Sequence, residues 1–170
     1  MDTIPEFGIK RENEERRDGG CAVVFDPKSQ LYACGVQTED GLLRLFSGGI
    51  DPGESMQDGV LREVVEESGL HDFLHVEYIA EALSHYYNSL RKVNRVAKAS
   101  CFLVILNGSS LVPVVLEEHE RFTLTWARAD EILSNWRERN ENHDYDHWIF
   151  FFSKAVARAQ ELGHDTTSTV

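Results

Sequence analysis

Three glutamates stand close together in the stretch "LREVVEESGL": Glu63, Glu66 and Glu67. At 100° per residue on a helix they fall within an arc of about 100°, while Val60, Leu61, Val64, Val65 and Ser68 fill a separate arc of about 140° that reads as a core face. Spacings of three and four residues make the carboxylates neighbours, so they repel one another, and two of them lie near a helix C-terminus whose dipole disfavours negative charge. A hard divalent cation, Mg²⁺ or Mn²⁺, reverses the sign of that cost, because such ions take oxygen ligands. A solvated acidic face would show the same pattern, and on the helix alone the two readings stand level.

The preceding loop, "SGGIDPGES", favours the cation. Gly48, Gly49 and Gly53 allow tight turning and a close backbone approach to a ligand, and Pro52-Gly53 shapes the start of the helix. Glu54 sits just before the helix and Arg62 two turns along it. A charge-assisted pair between them would clamp loop to helix and orient the acidic face.

Together these residues resemble the Nudix box: a glycine, five residues, a glutamate, seven residues, then Arg-Glu-aliphatic-x-Glu-Glu-x-Gly-aliphatic. The positions are Gly48, Glu54, Arg62, Glu63, Val64, Glu66, Glu67, Gly69 and Leu70, and all nine fit. The segment departs from the commoner pattern only at Phe46 and Ser47, where Pro and Gly often stand. The resemblance implies hydrolysis of a pyrophosphate bond in a nucleoside diphosphate linked to another moiety, with water and a divalent metal. It implies Glu63, Glu66, Glu67 and the Gly48 carbonyl as metal ligands, with Glu54 and Arg62 supporting them from behind. Glu67 and Glu63 are the nearer general bases. In some relatives a later loop supplies an additional base or ligand; here "LEEHERF" offers Glu117, Glu118 and Glu120, each of which also reads as part of a solvated acidic turn.

Substrate is less legible. The downstream proline typical of ADP-ribose hydrolases is missing from "SHYYN", as are the marks of NADH and coenzyme A hydrolases. Tyr86 and Tyr87 lie 16 and 17 residues past Leu70, similar to diadenosine polyphosphate hydrolases, although a tyrosine near a strand end needs no such explanation. Arg91, Lys92, Arg95 and Lys98 form the densest basic cluster of the chain. Arginine and lysine suit phosphate oxygens, and Tyr86, Tyr87 or Phe46 could stack on a base. The expected substrate is a dinucleoside polyphosphate or nucleoside triphosphate. Two alternatives are a nucleotide-sensing module that does not cleave, which the complete box disfavours, and an RNA-cap hydrolase.

The elements that must hold these residues read as an α/β fold, a Nudix-like α/β/α sandwich with a mixed sheet. Strands are expected at 21–26, 31–37, 42–46, 74–83, 97–106 and 122–127, and helices at 55–68, 129–137 and 145–162. A polar loop is expected over 84–96, and "HDYDH" (143–147) reads as a helix start at the surface. The domain is expected over 19–162, after a polar lead-in (1–18) and before a frayed tail (163–170). Cys21, Cys34 and Cys101 have no metal-ligand spacing and read as small core hydrophobes. Net charge is −12, from 29 acidic and 17 basic residues, which argues against general nucleic-acid binding and against an anionic membrane. With no signal-peptide core, a cytoplasmic location is expected. A homodimer is compatible with the sequence but not indicated by it.

Overall fold

A computed structural model describes residues 3–118 and 120–167. Its strands are β1 (Glu6–Phe7), β2 (Glu15–Arg16), β3 (Gly19–Asp26), β4 (Leu31–Gln37), β5 (Leu43–Arg44), β6 (Phe46–Gly48), β7 (Phe73–Asn88), β8 (Val93–Leu106) and β9 (Phe122–Ala127), and its helices are α1 (Met56–Ser68), α2 (Ala129–Arg137) and α3 (Asp146–Glu161). The main path through the sheet runs β1-β7-β8-β3-β4-β5, with β2 on β8, β6 on β3 and β9 on β4. Strands β3 and β8 are parallel while β3–β4 and β7–β8 are antiparallel, so the sheet is mixed.

Strand β3 is buried along its whole length, which is why it reads as an unbroken apolar run. One face packs Ala22, Val24, Phe46, Phe102 and Val104 against Val60 and Val64 of α1. The other packs Cys21, Val23, Phe25, Cys101 and Leu103 against Ile132 and Trp136 of α2 and Phe151, Phe152 and Ala155 of α3. The three cysteines are free and buried. Two helix-packed faces on one mixed sheet make the α/β/α sandwich. Among the described residues no helix is long and apolar enough to cross a membrane.

The expected loop at 84–96 is instead a hairpin: β7 continues to Asn88, β8 begins at Val93, and Tyr86 pairs with Arg95. Its polar residues mislead because this end of the hairpin runs past the core and turns its inward positions into a cavity. The strand expected at 42–46 is likewise split into β5 and β6, which pair with β4 and β3 respectively.

Within residues 1–18, β1 lies parallel to β7 and β2 parallel to β8. The buried His85 fastens this segment: Nδ1 lies 2.8 Å from Glu14 and Nε2 lies 2.7 Å from Glu6. At the other end Tyr32 donates to Asp165 at 2.6 Å, and the Thr166 amide donates to Gln30 at 2.9 Å. Residues 168–170 of the expected tail lie outside the described residues.

Burial works against protonation of His85, but its hydrogen bonds to Glu6 and Glu14 prevail and raise its pKa above the ordinary 6.5. Burial works against ionisation of Glu14, but the His85 bond, the Arg11 amide and nearby charge lower its pKa below 4.5. The His85 contribution is complete below 6.5 and lost as pH rises through its raised value; that of Glu14 is complete above 4.5 and lost as pH falls through its lowered value. The clamp is therefore strongest between these limits. Urea midpoints of the wild type minus those of His85→Asn should fall from pH 6 to pH 9. A difference constant over that range would show that the clamp carries no such linkage.

Candidate active site

Helix α1 is set by local chemistry at both ends. The Ser55 side chain accepts the Asp58 amide, and Gly69 ends the helix at φ +81°, returning its amide to the Val65 carbonyl. A side chain at Gly69 would be strained at that φ and would strike the Val112 carbonyl. Two further bonds tie the segment after β8 to this helix end: Val112 N–H to the Gly69 carbonyl at 2.9 Å, and Val115 N–H to the Glu66 carbonyl at 2.7 Å.

Arg62 joins the loop to the helix. Its Nε and Nη2 reach the two oxygens of Glu54 at 2.9 and 3.0 Å, and Nη2 also donates to the Gly49 carbonyl at 3.1 Å. Glu54 completes the loop by accepting the Asp51 amide at 2.8 Å. The remaining Arg62 nitrogen, Nη1, is shared between Glu63 at 3.0 Å and Glu66 at 3.3 Å. Gly48 lets the loop backbone close on Glu63, because an added Cβ would collide with that carboxylate.

Glu67 differs from its two neighbours. It is only 5% exposed, and its Oε1 accepts the Ser47 amide at 2.8 Å. Burial raises its pKa well above the ordinary range, reinforced by a hydrogen bond and repulsion from Glu120. Burial likewise raises Glu63 to about 7, against the pull of Arg62. Glu120 is delivered by the segment that pins the end of α1, and its own carboxylate accepts the Glu117 amide at 2.8 Å.

These carboxylates line one end of a cavity of ≈ 170 Å³ between the sheet, the glycine loop and the start of α3. The sequence-selected residues Gly48, Glu63, Glu67, Tyr86, Tyr87, Arg91, Arg95, Glu117 and Glu120 all line it, whereas Glu54, Arg62, Glu66, Lys92 and Glu118 do not. Arg91 pairs with Glu117 at 3.1 Å on the rim. Lys92 is an exposed turn residue with φ +57°.

Among the lining residues that sequence reasoning missed are Arg17, Arg44 and His147. Arg44 donates to Gln37 at 2.8 Å and lies over the rings of Trp148 and Phe122. Burial lowers its pKa, while Glu67, Tyr86, Glu120 and Tyr145 act in the opposite direction. His147, expected at the surface, is buried and stacked on Tyr86 with ring centres 5.1 Å apart. Only a lone arginine in "LLRLF" and a histidine within "HDYDH" mark these positions in the sequence.

A divalent ion suits the donors present: carboxylates and a carbonyl, all hard oxygen, two of them with pKa values raised by lack of solvent or countercharge. Among the described residues no three acidic or imidazole side chains are already gathered around one point. In this arrangement Arg62 is the cation that Glu63 and Glu66 share.

The description "NUDIX domain" matches residues 15–158. No curated protein matches the chain. Among solved structures, a Listeria monocytogenes protein described as a NUDIX hydrolase is similar, with 17% identity and a TM-score of 0.61 over 88% of this chain and 97% of its own. The NUDIX domain of Shewanella oneidensis NrtR, solved with ADP ribose, has 16% identity and a TM-score of 0.53 over 74% of this chain and 89% of its own. A structure from a study of MutT from Aliivibrio salmonicida and Vibrio cholerae has 15% identity and a TM-score of 0.52 over 85% of this chain and 99% of its own. At these identities the likenesses concern fold. The domain match covers most of the chain, and the chain belongs to the NUDIX family of hydrolases, which act on phosphorus-containing anhydrides.

Proposed function

We propose that this chain hydrolyses a phosphoanhydride bond of a dinucleoside polyphosphate or a nucleoside triphosphate, with Mg²⁺ or Mn²⁺ bound by Glu63, Glu66, Glu67 and the Gly48 carbonyl. The observation that carries this reading is a single cavity whose wall holds both acidic Glu63, Glu67 and Glu120 and basic Arg17, Arg91 and Arg95. A bound divalent ion would neutralise phosphate charge and acidify a water. The chain's own residues do the rest. Glu67, held by the Ser47 amide, takes the proton of the attacking water, and Glu120, hydrogen-bonded to Glu67, is the additional base or ligand favoured among the three later glutamates. Arg62 and Glu54 fix the loop so that the Gly48 carbonyl keeps its place. Tyr86 and Tyr87 offer ring faces to a base, and Arg91 offers a phosphate contact at the rim.

The test is a product-resolved hydrolysis screen with Mg²⁺ or Mn²⁺ over nucleoside triphosphates, dinucleoside polyphosphates, nucleotide sugars, ADP-ribose and capped RNA. Preferred cleavage of a dinucleoside polyphosphate or nucleoside triphosphate is expected. ADP-ribose belongs in the panel because of the NrtR complex. Silence throughout, with metal binding confirmed, would replace the hydrolase by a nucleotide-sensing module.

A further inference from the structure

Two buried polar atoms in the cavity wall have no hydrogen-bond partner among the described residues: Nε of Arg95 and Nδ1 of His147. Arg95 is 5% and His147 6% exposed, and both residues line the same cavity. A buried donor left without a partner costs roughly 1–3 kcal/mol, more when charged, so such a pair asks for a ligand or solvent group. Tyr86 links the two: it is stacked on His147, its strand position is paired with Arg95, and its hydroxyl lies within electrostatic range of Arg95, Arg44 and Arg17.

Charge balance in the wall sets the sign of the missing group. The acidic lining residues outside the glutamate end already have cations. Asp18 is paired with Arg16 at 3.1 Å, Asp144 with Arg11 at 2.6 Å, and Glu117 with Arg91 at 3.1 Å. The arginines beside Tyr86 are matched to different degrees. Arg44 donates to Gln37 and has Glu67 and Glu120 acting on it, whereas the nearest carboxylate oxygen to Arg95 among the described residues, on Glu15, is 3.9 Å away. A chain of net charge −12 has thus placed Arg17, Arg44, Arg91 and Arg95 in the wall of one cavity, where they suit a polyanion.

We infer that Arg95 and His147 form an oxyanion subsite in this cavity that holds a non-reacting phosphate of the substrate. This rests on the hydrolase reading for its substrate but not for its ligand chemistry. Arg95 donates from Nε to a phosphate oxygen, and neutral His147 donates from Nδ1. A substrate with several phosphates spans both ends of the cavity. One with a neutral non-reacting half leaves the subsite unfilled.

The experiment uses the full chain in EDTA, so that the glutamate end is not engaged through metal, with inorganic pyrophosphate as probe and citrate as a carboxylate control. Pyrophosphate should raise the melting temperature of the wild type and shift the Arg95 Nε–H resonance, assigned by its loss in Arg95→Lys. The thermal shift should be lost in Arg95→Gln and reduced in His147→Phe. In the hydrolase assay Arg95→Gln should raise KM by about tenfold to a hundredfold for polyphosphate substrates, the scale of one charge-assisted hydrogen bond. An unmoved Arg95 resonance in the wild type, or an undiminished thermal shift in folded Arg95→Gln, overturns the subsite. An equal response to citrate overturns phosphate as its occupant. Failure of the hydrolase reading shows elsewhere, as absence of cleavage with metal present, whatever pyrophosphate does without it.

Discussion

Glu67→Gln is expected to lower kcat by about a thousandfold at saturating Mg²⁺, within the range for removing a positioned base and a metal ligand. The same change should leave the metal-free protein as stable as the wild type, or more so. Glutamine retains a side-chain oxygen for the Ser47 amide, which now meets Glu67 at 2.8 Å. It also ends the repulsion with Glu120 and Glu63 that, after burial, raises the pKa of Glu67. Turnover and thermal melting in EDTA, measured on one preparation, separate the two effects. Wild-type turnover would remove Glu67 from the chemistry. A large loss of stability with proportionate loss of activity would make it a structural residue.

Arg62→Met should show the opposite pattern. Its guanidinium meets Glu54, Glu63, Glu66 and Asp51 within 3.3 Å and is 26% exposed. Breaking a fully buried ion pair costs about 3–5 kcal/mol, and partial exposure brings the expectation here to roughly 2 kcal/mol. In a domain of this size that corresponds to a melting temperature about 4–8 °C lower in EDTA. Methionine keeps the packing of the stem but leaves the carboxylates without their shared cation. Saturating Mg²⁺ supplies another, and binding to the native state stabilises by mass action, so the gap between variant and wild type should narrow. An equal gap with and without Mg²⁺ would mean that Arg62 acts on the loop alone and does not stand in for an ion.

The legible part of this protein is local. Ser55, Gly69, the apolar face of α1 and the spacing of Glu54, Arg62, Glu63, Glu66 and Glu67 all lie within about one turn-loop-helix unit, where geometry follows from sequence distance. The strands of the core were equally readable, since β3 and the inner half of β8 are continuous apolar runs. The far end of the cavity was not. Arg44 sits in a two-residue strand and owes its burial to Trp148 and Phe122, more than 75 residues distant in the chain. His147 is turned inward by the docking of α3, which no short-range pattern encodes. The outer hairpin, Ser84 to Val96, carries polar side chains on both faces because one face lines a cavity, and strand periodicity then vanishes from the sequence.

The short β1 strand has a consequence outside catalysis. Strand β7 is 16 residues long and forms an outer strand of the sheet, and a long outer strand offers free amides and carbonyls to any passing chain. Its register is broken between Phe73 and His75 and again between Tyr78 and Ala80, which spoils the template over its first half. Over the second half β1 occupies Leu83 and Ser84, and its Glu6 is held by His85. Releasing that histidine would uncover backbone suited to intermolecular pairing, so the same two carboxylates that fasten the leading segment also guard the protein against sticking to its own copies.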